Sequence, residues 1–465
     1  MERKNKTQQQ ATRTSTARRQ KPNNAKVPSS PLKRKSHRAH PINNIAMMLL
    51  ISVFQILTAF PMIFRNGFLI GTEIQTDDPK LAKEPQLQAT LIIIFAVFIL
   101  VEWAYILIFK TVMHRRNFEL EFIAFFLSGI GLVAIGSIDH SAVLVQFITL
   151  IAGIILYTIM IFVLGNVELC MKLRTPVAIA AIIFFGINLL LAQTRYGADN
   201  WIKIGPLTIQ PSEFIKVAFI FVGAATLEKI QTMKNIWKFV AFACVCIGCL
   251  FIMKDFGTAL IYFFTFLVIA FMQSGDIRTV IFSCTAGLLG AGMIIKFKPH
   301  VTARFKGYRH IWEYANESYG YQQTRVLVAM ASGGLFGVGI GKGNLRTVAA
   351  ARNDLIFGVI CEEWGFLFGL TIILAFAAIL YSALKNSIAS RSTFYSIAAC
   401  AAAGLFLFQT CLHVFGITDL LPLTGVTLPF VSQGGSSMIS SWCLLAFIKA
   451  CDVRTYNYLG GVSEK

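Results

Sequence analysis

The sequence predicts an all-α, polytopic membrane protein with about twelve transmembrane helices. The chain has 465 residues, of which 55% are hydrophobic and only 14% are charged. A soluble globular protein carries about 25% charged residues, so a soluble core could not bury this much apolar surface. Apolar stretches that are long enough to cross a bilayer recur between residues 43 and 450, which makes the bilayer part of the solvent.

Twelve apolar stretches of roughly 17–25 residues have the length that a helix needs to span the hydrocarbon core. They are residues 43–64, 89–111, 120–138, 142–164, 176–194, 212–228, 238–254, 256–273, 277–297, 355–383, 394–417 and 428–450. Very short links join the third stretch to the fourth and the seventh to the eighth. The span count is therefore defined to within two.

The first 41 residues form a basic tail that is expected to be disordered. They contain twelve Lys and Arg residues against a single acid, Glu2, and almost no large apolar side chain. Such a segment cannot bury enough surface to fold, whereas its charge suits anionic lipid headgroups. Nucleic-acid binding has no support from aromatic residues or motifs and is not expected.

Basic residues in short loops predict that both chain ends are cytoplasmic. With the tail inside, every inner loop carries Lys or Arg, as in Arg115 and Arg116 or in the pair Lys449 and Arg454. The long outer segment 298–353 is an exception, with eight Lys and Arg residues against two acids. This charge either solvates the loop or binds an anionic substrate such as a pyrophosphate.

Residues 195–216 form a Gly- and Pro-rich outer loop that runs into a helix. Pro211 suits a first helical turn, and Ser212 and Glu213 complement the positive helix start. Glu213 and Lys216 are three residues apart and can pair on one helix face. The pair is either a local ion pair in a capped helix or part of a functional site at the entrance of a span.

Four ordered blocks resemble the signatures of the SEDS family, which includes FtsW, RodA and SpoVE. They are residues 195–216, with Trp201 and the run Gln-Pro-Ser-Glu; Lys254–Ala259, with Asp-Phe-Gly-Thr-Ala; Gly320–Glu363; and Leu421–Ser437, with Gly-Gly-Ser-Ser. Four blocks in the family's order make the resemblance specific. One departure is notable: where the family usually has Pro-Glu-x-His-Thr before its catalytic Asp, this chain has Ala350–Asn353.

The resemblance implies a SEDS fold with two extra N-terminal spans, because the family usually has three spans before the first block and this chain has five. The expected organisation is a disordered tail at 1–41, two extra helices at 42–111, a SEDS-like membrane domain at 112–454 with the large loop 298–353, and a cytoplasmic tail at 455–465. Since every block follows residue 194, the extra spans are expected to be dispensable for chemistry.

The resemblance also implies a peptidoglycan glycosyltransferase that polymerises lipid II at the outer face of the bacterial cytoplasmic membrane. A sugar hydroxyl attacks an anomeric carbon, and undecaprenyl pyrophosphate leaves with inversion. This chemistry needs a base for the hydroxyl proton and cations for the leaving group. A role in division, elongation or sporulation stays open. So do two alternative functions, a lipid II flippase and a non-catalytic scaffold of the wall-synthesis complex.

The resemblance implies that Asp354, which follows the basic loop and precedes an apolar helix, is the catalytic base. It also suits the N-cap of that helix. The residues expected to bind substrate are Trp201, Lys342, Arg346, Arg352, Glu213, Lys216, Asp255, Thr424, Ser436 and Ser437. Thr424–Pro429 is expected to form a broken start of the last span, and either Glu362 or Glu363 is expected to face a polar cavity.

The implied partners are lipid II, membrane lipids and a class B penicillin-binding protein, which is a single-pass transpeptidase. No cofactor is certain. No metal-ligand cluster stands out in the sequence, and a divalent cation on the pyrophosphate stays open.

Overall fold

The computed structural model describes residues 43–70, 83–191, 193–195, 198–204, 207–227, 233–297, 307–317 and 320–456. The predictions for the basic tail at 1–41, for most of the C-terminal tail and for part of the loop 298–353 lie outside the described residues.

The described chain is built almost entirely of α-helices. They are α1 (Asn44–Ile63), α2 (Glu84–Thr111), α3 (Glu119–Ile138), α4 (Ala142–Leu164), α5 (Val167–Leu191), α6 (Pro211–Leu227), α7 (Met233–Ile252), α8 (Phe256–Ser274), α9 (Ile277–Phe297), α10 (Tyr321–Gly333), α11 (Ile356–Trp364), α12 (Phe366–Ile388), α13 (Thr393–Ile417) and α14 (Gly435–Cys451). Short 3-10 turns lie at Leu345–Thr347 and Val453–Tyr456. The all-α membrane class is confirmed. Within the described ranges, eight helices are long and apolar enough to cross a membrane, and shorter apolar helices accompany them.

The predicted span 355–383 is not one continuous helix. Helix α11 ends at Trp364, Gly365 adopts a φ of +86°, and α12 begins at Phe366. A Cβ on Gly365 would lie 2.3 Å from the carbonyl oxygen of Leu335, so only glycine fits this crossing of two chain segments. The last predicted span is also shorter than expected. Helix α14 starts at Gly435, which leaves Thr424–Pro429 outside any helix, as predicted.

The first signature block, predicted as a Gly- and Pro-rich loop that runs into a helix, contains a small antiparallel sheet. Its strands are β1 (Gln193–Arg195), β2 (Ala198–Ile204) and β3 (Leu207–Ile209), in the order β1-β2-β3. In β2, Trp201 pairs with Gln193 and Ile202 pairs with Ile209. The sheet ends one residue before Gln210, so it holds Trp201 close to the start of α6.

The centre of the bundle is α14, in which every residue except Gly435 and Ile439 is buried. It packs against α4, α13 and α6. Its Trp442 is fully buried and its ring lies 5.3–5.8 Å from those of Phe125, Tyr157 and Phe430. A helix that is buried on all sides is the expected core of a large bundle.

Lys449 is not the loop cation that the sequence suggested. It is fully buried near the end of α14, where its Nζ donates to Glu121 Oε2 at 2.9 Å and to Asn117 O at 2.6 Å. Arg115 and Tyr157 also donate to the Glu121 carboxylate. Lys449 therefore joins the end of α14 to the start of α3, and it adds nothing to the charge of a loop.

Candidate functional site

A cavity of about 960 Å³ opens at the end of the bundle where α3 meets α4 and where α14 begins. Its wall includes residues 138–141, 348–353 and 433–436, together with Arg346, Trp201 and three polar residues near the ends of α1 and α2. The segment 346–354 is called the strap below; its residues 346 and 348–353 form one side of this wall.

The charged residues of the wall are predominantly basic. The cations are Arg65, Lys83, Arg346 and Arg352, and the carboxylates are Glu84 and Asp139. Four cations against two carboxylates leave an excess of two positive charges, with His140 counted as neutral. Both carboxylates are engaged, because Asp139 pairs with Arg352 and Glu84 Oε1 lies 2.7 Å from His140 Nδ1. The wall therefore suits a polyanionic ligand such as a pyrophosphate.

Hydrogen bonds between backbone and side chains hold the strap against the segment that precedes α14. Asn353 Nδ2 donates to Gln433 O at 2.7 Å, and Ser432 Oγ donates to Asn353 O at 2.6 Å. The amide of Gln433 donates to Arg352 O at 2.8 Å. Gln146 of α4 supports the same segment, since its Nε2 donates to Ser432 O at 3.2 Å. The strap is thus fixed from two sides.

Asp139 anchors the guanidinium of Arg352 from the loop between α3 and α4. Its Oδ1 accepts hydrogen bonds from the Ser141 amide at 3.0 Å and from the Ser141 hydroxyl at 2.6 Å, while Oδ2 accepts from Arg352. Partial burial opposes ionisation, but the bonds from Ser141 and the charge of Arg352 outweigh it and lower the pKa of Asp139. Asp139 is therefore ionised at neutral pH and orients Arg352.

Glu362 fixes the chain just before the strap. Its side chain is 1% exposed, and its two carboxylate oxygens accept from the amides of Asn344 at 2.8 Å and Leu345 at 3.0 Å. Charge-assisted bonds of this kind are stronger than neutral ones. The expectation that Glu362 or Glu363 faces a polar cavity is wrong for this cavity, because neither residue lines it. Glu362 instead holds the turn from which the strap starts.

Asp354 is half-buried at the end of the strap, one residue beyond the cavity wall. The alternative that it caps α11 is wrong, because that helix begins at Ile356 and Leu355 occupies the N-cap position. The amide of Asp354 donates to Ala350 O at 3.0 Å. Its carboxylate lies beside Gly425, where an added Cβ would be 3.4 Å from Oδ2. Gly425 is exposed and has a φ of +71°, a backbone conformation that glycine adopts more readily than any other residue.

Four of the ten predicted substrate residues line the cavity, and six do not. The four are Trp201, Arg346, Arg352 and Ser436. Lys342 is exposed outside the cavity lining. The other five are Glu213, Lys216, Asp255, Thr424 and Ser437, which lie outside the lining and pack around it. The structure therefore brings only part of the predicted set to the cavity.

Glu213 and Lys216 form the predicted ion pair, with Nζ 2.8 Å from Oε2. Both are buried, and Ser440 of α14 donates to Glu213 at 2.8 Å. Lys216 also donates to Gln409 Oε1 at 3.1 Å, and Gln409 Nε2 donates to Thr427 O at 2.7 Å. The pair thus joins α6, α13 and α14 behind the cavity.

Asp255 is connected to the cavity through Gln210. Its Oδ1 accepts from the Thr258 amide at 3.1 Å and so caps α8, while Oδ2 accepts from Gln210 Nε2 at 3.1 Å. The Gln210 amide donates to Ser436 Oγ, which lies in the cavity wall, at 3.3 Å.

Two contacts hold the segment before α14 in place, one made by Ser437 and one by Thr424. The Ser437 and Thr427 hydroxyls lie 2.8 Å apart. The carbonyl oxygen of Thr424 would lie 3.0 Å from a Cβ on Gly257, which brings this segment against the start of α8.

Several wall residues were not predicted. Arg65, Lys83 and Glu84 lie at the ends of the two extra helices and line the cavity, although no site residue was predicted there. The dispensability of these helices for chemistry stays a prediction. Asp139 and His140 were also missed, although a polar pair in a very short link between two spans was a usable signal.

Comparison with known proteins places this fold in a family. A family model described as a cell cycle protein of the FtsW, RodA and SpoVE type matches residues 106–457. Peptidoglycan glycosyltransferase RodA of Mycobacterium tuberculosis is 27% identical over 353 residues, which cover 69% of this chain and 75% of the relative. Stage V sporulation protein E of Bacillus subtilis is 33% identical over 270 residues, which cover 55% of this chain and 73% of the relative.

Two solved structures share the fold. A chain of a peptidoglycan synthase complex, studied for its coordination of polymerization and crosslinking, has a TM-score of 0.61 at 21% identity and covers 75% of this chain and 99% of its own length. The rod shape determining protein RodA of Thermus thermophilus has a TM-score of 0.55 at 23% identity, with 71% and 95% covered. The chain therefore belongs to the FtsW, RodA and SpoVE family of cell cycle proteins.

Proposed function

We propose that this chain is a peptidoglycan glycosyltransferase that polymerises lipid II at the outer face of the bacterial cytoplasmic membrane. The strap is the observation that carries the proposal. It presents the cations Arg346 and Arg352 to a basic cavity, and it ends in the half-buried carboxylate of Asp354. The names of the relatives RodA and FtsW, which are peptidoglycan glycosyltransferases, support the same reaction.

In the proposed reaction, the basic wall binds the pyrophosphate of the donor. Arg352 is oriented by Asp139, so its guanidinium is held in place before the charge of the leaving group develops. Preorganised cations of this kind stabilise a leaving anion without further reorganisation. Arg346 donates from Nη1 to Gly341 O at 3.3 Å, which leaves its other guanidinium donors for phosphate oxygens.

Asp354 is the proposed general base. It would take the proton of the acceptor hydroxyl as that oxygen attacks the anomeric carbon from the face opposite the leaving group. Hydrogen bonds from Asn353 to Gln433 and from Ser432 to Asn353 fix the strap. The strap therefore carries both the Asp354 carboxylate and the two cations on one anchored segment. In the proposed reaction, Asp354 serves the acceptor, and Arg346 and Arg352 serve the donor.

The proposed orientation places both termini in the cytoplasm and the cavity outside. It rests on the basic short loops, now without Lys449 and Arg115, which are both buried in ion pairs with Glu121. Single-Cys labelling at position 317, in a variant without the native cysteines, tests it in intact cells. An impermeant maleimide should react at this exposed position before lysis. Reaction only after lysis would reverse the orientation and remove the proposed function.

A class B penicillin-binding protein is the proposed partner. A solved structure with the same fold comes from a peptidoglycan synthase complex that coordinates polymerization and crosslinking. Co-purification of this chain with each single-pass transpeptidase of its own organism tests the proposal, and the absence of any stable pair in mild detergent would contradict it.

Polymerisation by purified protein decides between the proposed function and its alternatives. The full chain, with and without the transpeptidase, is incubated with fluorescent lipid II, and the glycan products are separated by gel electrophoresis. A ladder that requires this chain supports a polymerase. A flippase would instead move lipid II across proteoliposomes without forming a ladder, and a scaffold would do neither.

A further inference from the structure

The N-terminal helical hairpin, formed by α1 and α2, contributes cations to the cavity although it lies almost entirely outside the family match. Arg65 follows α1 by two residues, and Lys83 immediately precedes α2; both line the cavity. The family model begins only at residue 106. These two residues supply half of the four Lys and Arg side chains in the cavity wall.

Hydrogen bonds between the two helix ends hold these cations at the wall. Gln88 Nε2 donates to Gly67 O at 2.8 Å, and Gln88 Oε1 accepts from the Leu69 amide at 3.0 Å. Asn66 Nδ2 donates to Glu84 Oε1 at 3.2 Å. This end of the hairpin is therefore built as a defined structure.

The hairpin is also fixed to the rest of the bundle. Gln55 of α1 donates to Glu102 of α2 at 2.7 Å, and both side chains are fully buried. Gln55 packs so closely on Gly129 of α3 that an added Cβ there would lie 3.0 Å from its Nε2. A buried polar pair at this position makes sliding of α1 and α2 costly, so the cations keep their place in the wall.

The Arg65 side chain donates one hydrogen bond to the bundle and has a second nitrogen without a partner among the described residues. Its Nη1 donates to Ser137 O at the end of α3, and its aliphatic stem lies against Gly341. Its Nε is buried and has no hydrogen-bond partner among the described residues. Burial lowers the pKa of Arg65, and Arg346 adds to this, although Glu84 opposes it. An anion bound beside Arg65 in the cavity would offset the repulsion between its guanidinium group and that of Arg346.

We propose that the hairpin completes the anion site of the cavity, with Arg65 and Lys83 binding the phosphate groups of a lipid pyrophosphate together with Arg346 and Arg352. The choice of ligand rests on the proposed function. The site is a property of this chain's hairpin, and it assigns a binding role to a segment that the sequence suggested was dispensable.

Direct binding of undecaprenyl pyrophosphate to the full-length protein in nanodiscs tests this site. Arg65→Gln removes a charged donor, so the Kd should rise about tenfold or more. Lys83→Gln changes an exposed residue without a side-chain cap bond and should raise the Kd roughly two- to fivefold. Arg65→Lys keeps the charge and should recover part of the affinity. Lys110→Gln, an exposed cation at the other end of α2, is the matched control and should bind as wild type.

The ligand specificity is tested in the same nanodiscs with phosphatidylglycerol as competitor. The proposal predicts that this phosphate monoanion displaces undecaprenyl pyrophosphate only weakly. It carries one negative charge, whereas the cavity wall has four Lys and Arg side chains that can pair with the charges of a pyrophosphate. Displacement at equal concentrations would overturn the proposal in favour of a general site for anionic lipid headgroups.

The outcomes separate the hairpin site from the proposed function. Unchanged binding by Lys83→Gln overturns the site, even where Arg65→Gln proves too unstable to measure. A wild-type protein that polymerises lipid II while both hairpin variants bind as wild type refutes the site and leaves the function. Hairpin-dependent binding by a wild-type protein that forms no glycan refutes the function and leaves the site.

Discussion

Removal of Lys216 alone should destabilise the bundle far more than removal of both charges of its buried pair. Lys216 and Glu213 are 2% and 4% exposed, and their charged atoms lie 2.8 Å apart. In Lys216→Met, the Glu213 carboxylate keeps the Ser440 hydroxyl but has lost its counter-charge. Breaking one side of a buried pair costs about 3–5 kcal/mol, whereas replacing both partners is often nearly neutral.

Thermal unfolding of full-length variants in one detergent measures this difference. At roughly 1 °C per kcal/mol for a chain of 465 residues, Lys216→Met should lower the apparent Tm by roughly 3–5 °C. The double variant Glu213→Gln/Lys216→Met should recover at least half of that loss. The exposed control Lys110→Met should stay within about 1 °C of wild type. A double variant as unstable as Lys216→Met would refute the reasoning, because the cost would then not come from an unpaired charge.

Three further predictions concern the cavity. Glu362→Gln should loosen the start of the strap at a cost of about 1.5–3 kcal/mol, seen as faster tryptic cleavage within the strap; unchanged cleavage would contradict this. Burial lowers the pKa of His140, and Arg65 adds to this while Glu84 opposes it. The unfolded chain therefore binds the proton more readily, so stability should be complete above about pH 6.5 and fall on acidification to pH 5, a slope that His140→Asn should remove. Gly425→Ala should cost about 1–2 kcal/mol through its positive φ, while its added methyl would make only an ordinary van der Waals contact with the Asp354 carboxylate; thermal unfolding measures the cost, and wild-type stability would contradict it.

The spans were predictable because crossing a bilayer is a local property of length and hydropathy. The predicted span 142–164 coincides with α4, and 256–273 agrees with α8 to one residue. The prediction failed at Gly365, since one glycine hardly changes the average of an apolar window. Its interruption of the helix depends on a positive φ and on the close approach of Leu335, which are properties of the tertiary structure.

The cavity-lining residues were predictable only where they belong to a motif. The blocks identified Trp201, Arg346 and Arg352, all of which line the cavity. They could not identify Arg65 or Asp139, because a charged residue at the end of a span has many ordinary explanations. Arg65 and Asp139 lie in the same wall because of how the hairpin packs against α3. No local sequence pattern reveals that packing.

The polymerisation rate of Asp354→Asn tests the central claim most directly. The amide preserves the shape of the side chain, and the N-cap of α11 belongs to Leu355, so the variant should fold and bind its transpeptidase as wild type. Asp419→Asn is the matched control, because Asp419 is a half-buried carboxylate in a neighbouring loop that accepts from the Arg309 amide. With purified proteins and labelled lipid II, the proposal predicts that Asp354→Asn is about 10²–10⁴-fold slower than wild type, as expected for loss of a general base, and that the control is unchanged. A rate for Asp354→Asn close to that of wild type would show that Asp354 is not the base and would contradict the proposed mechanism.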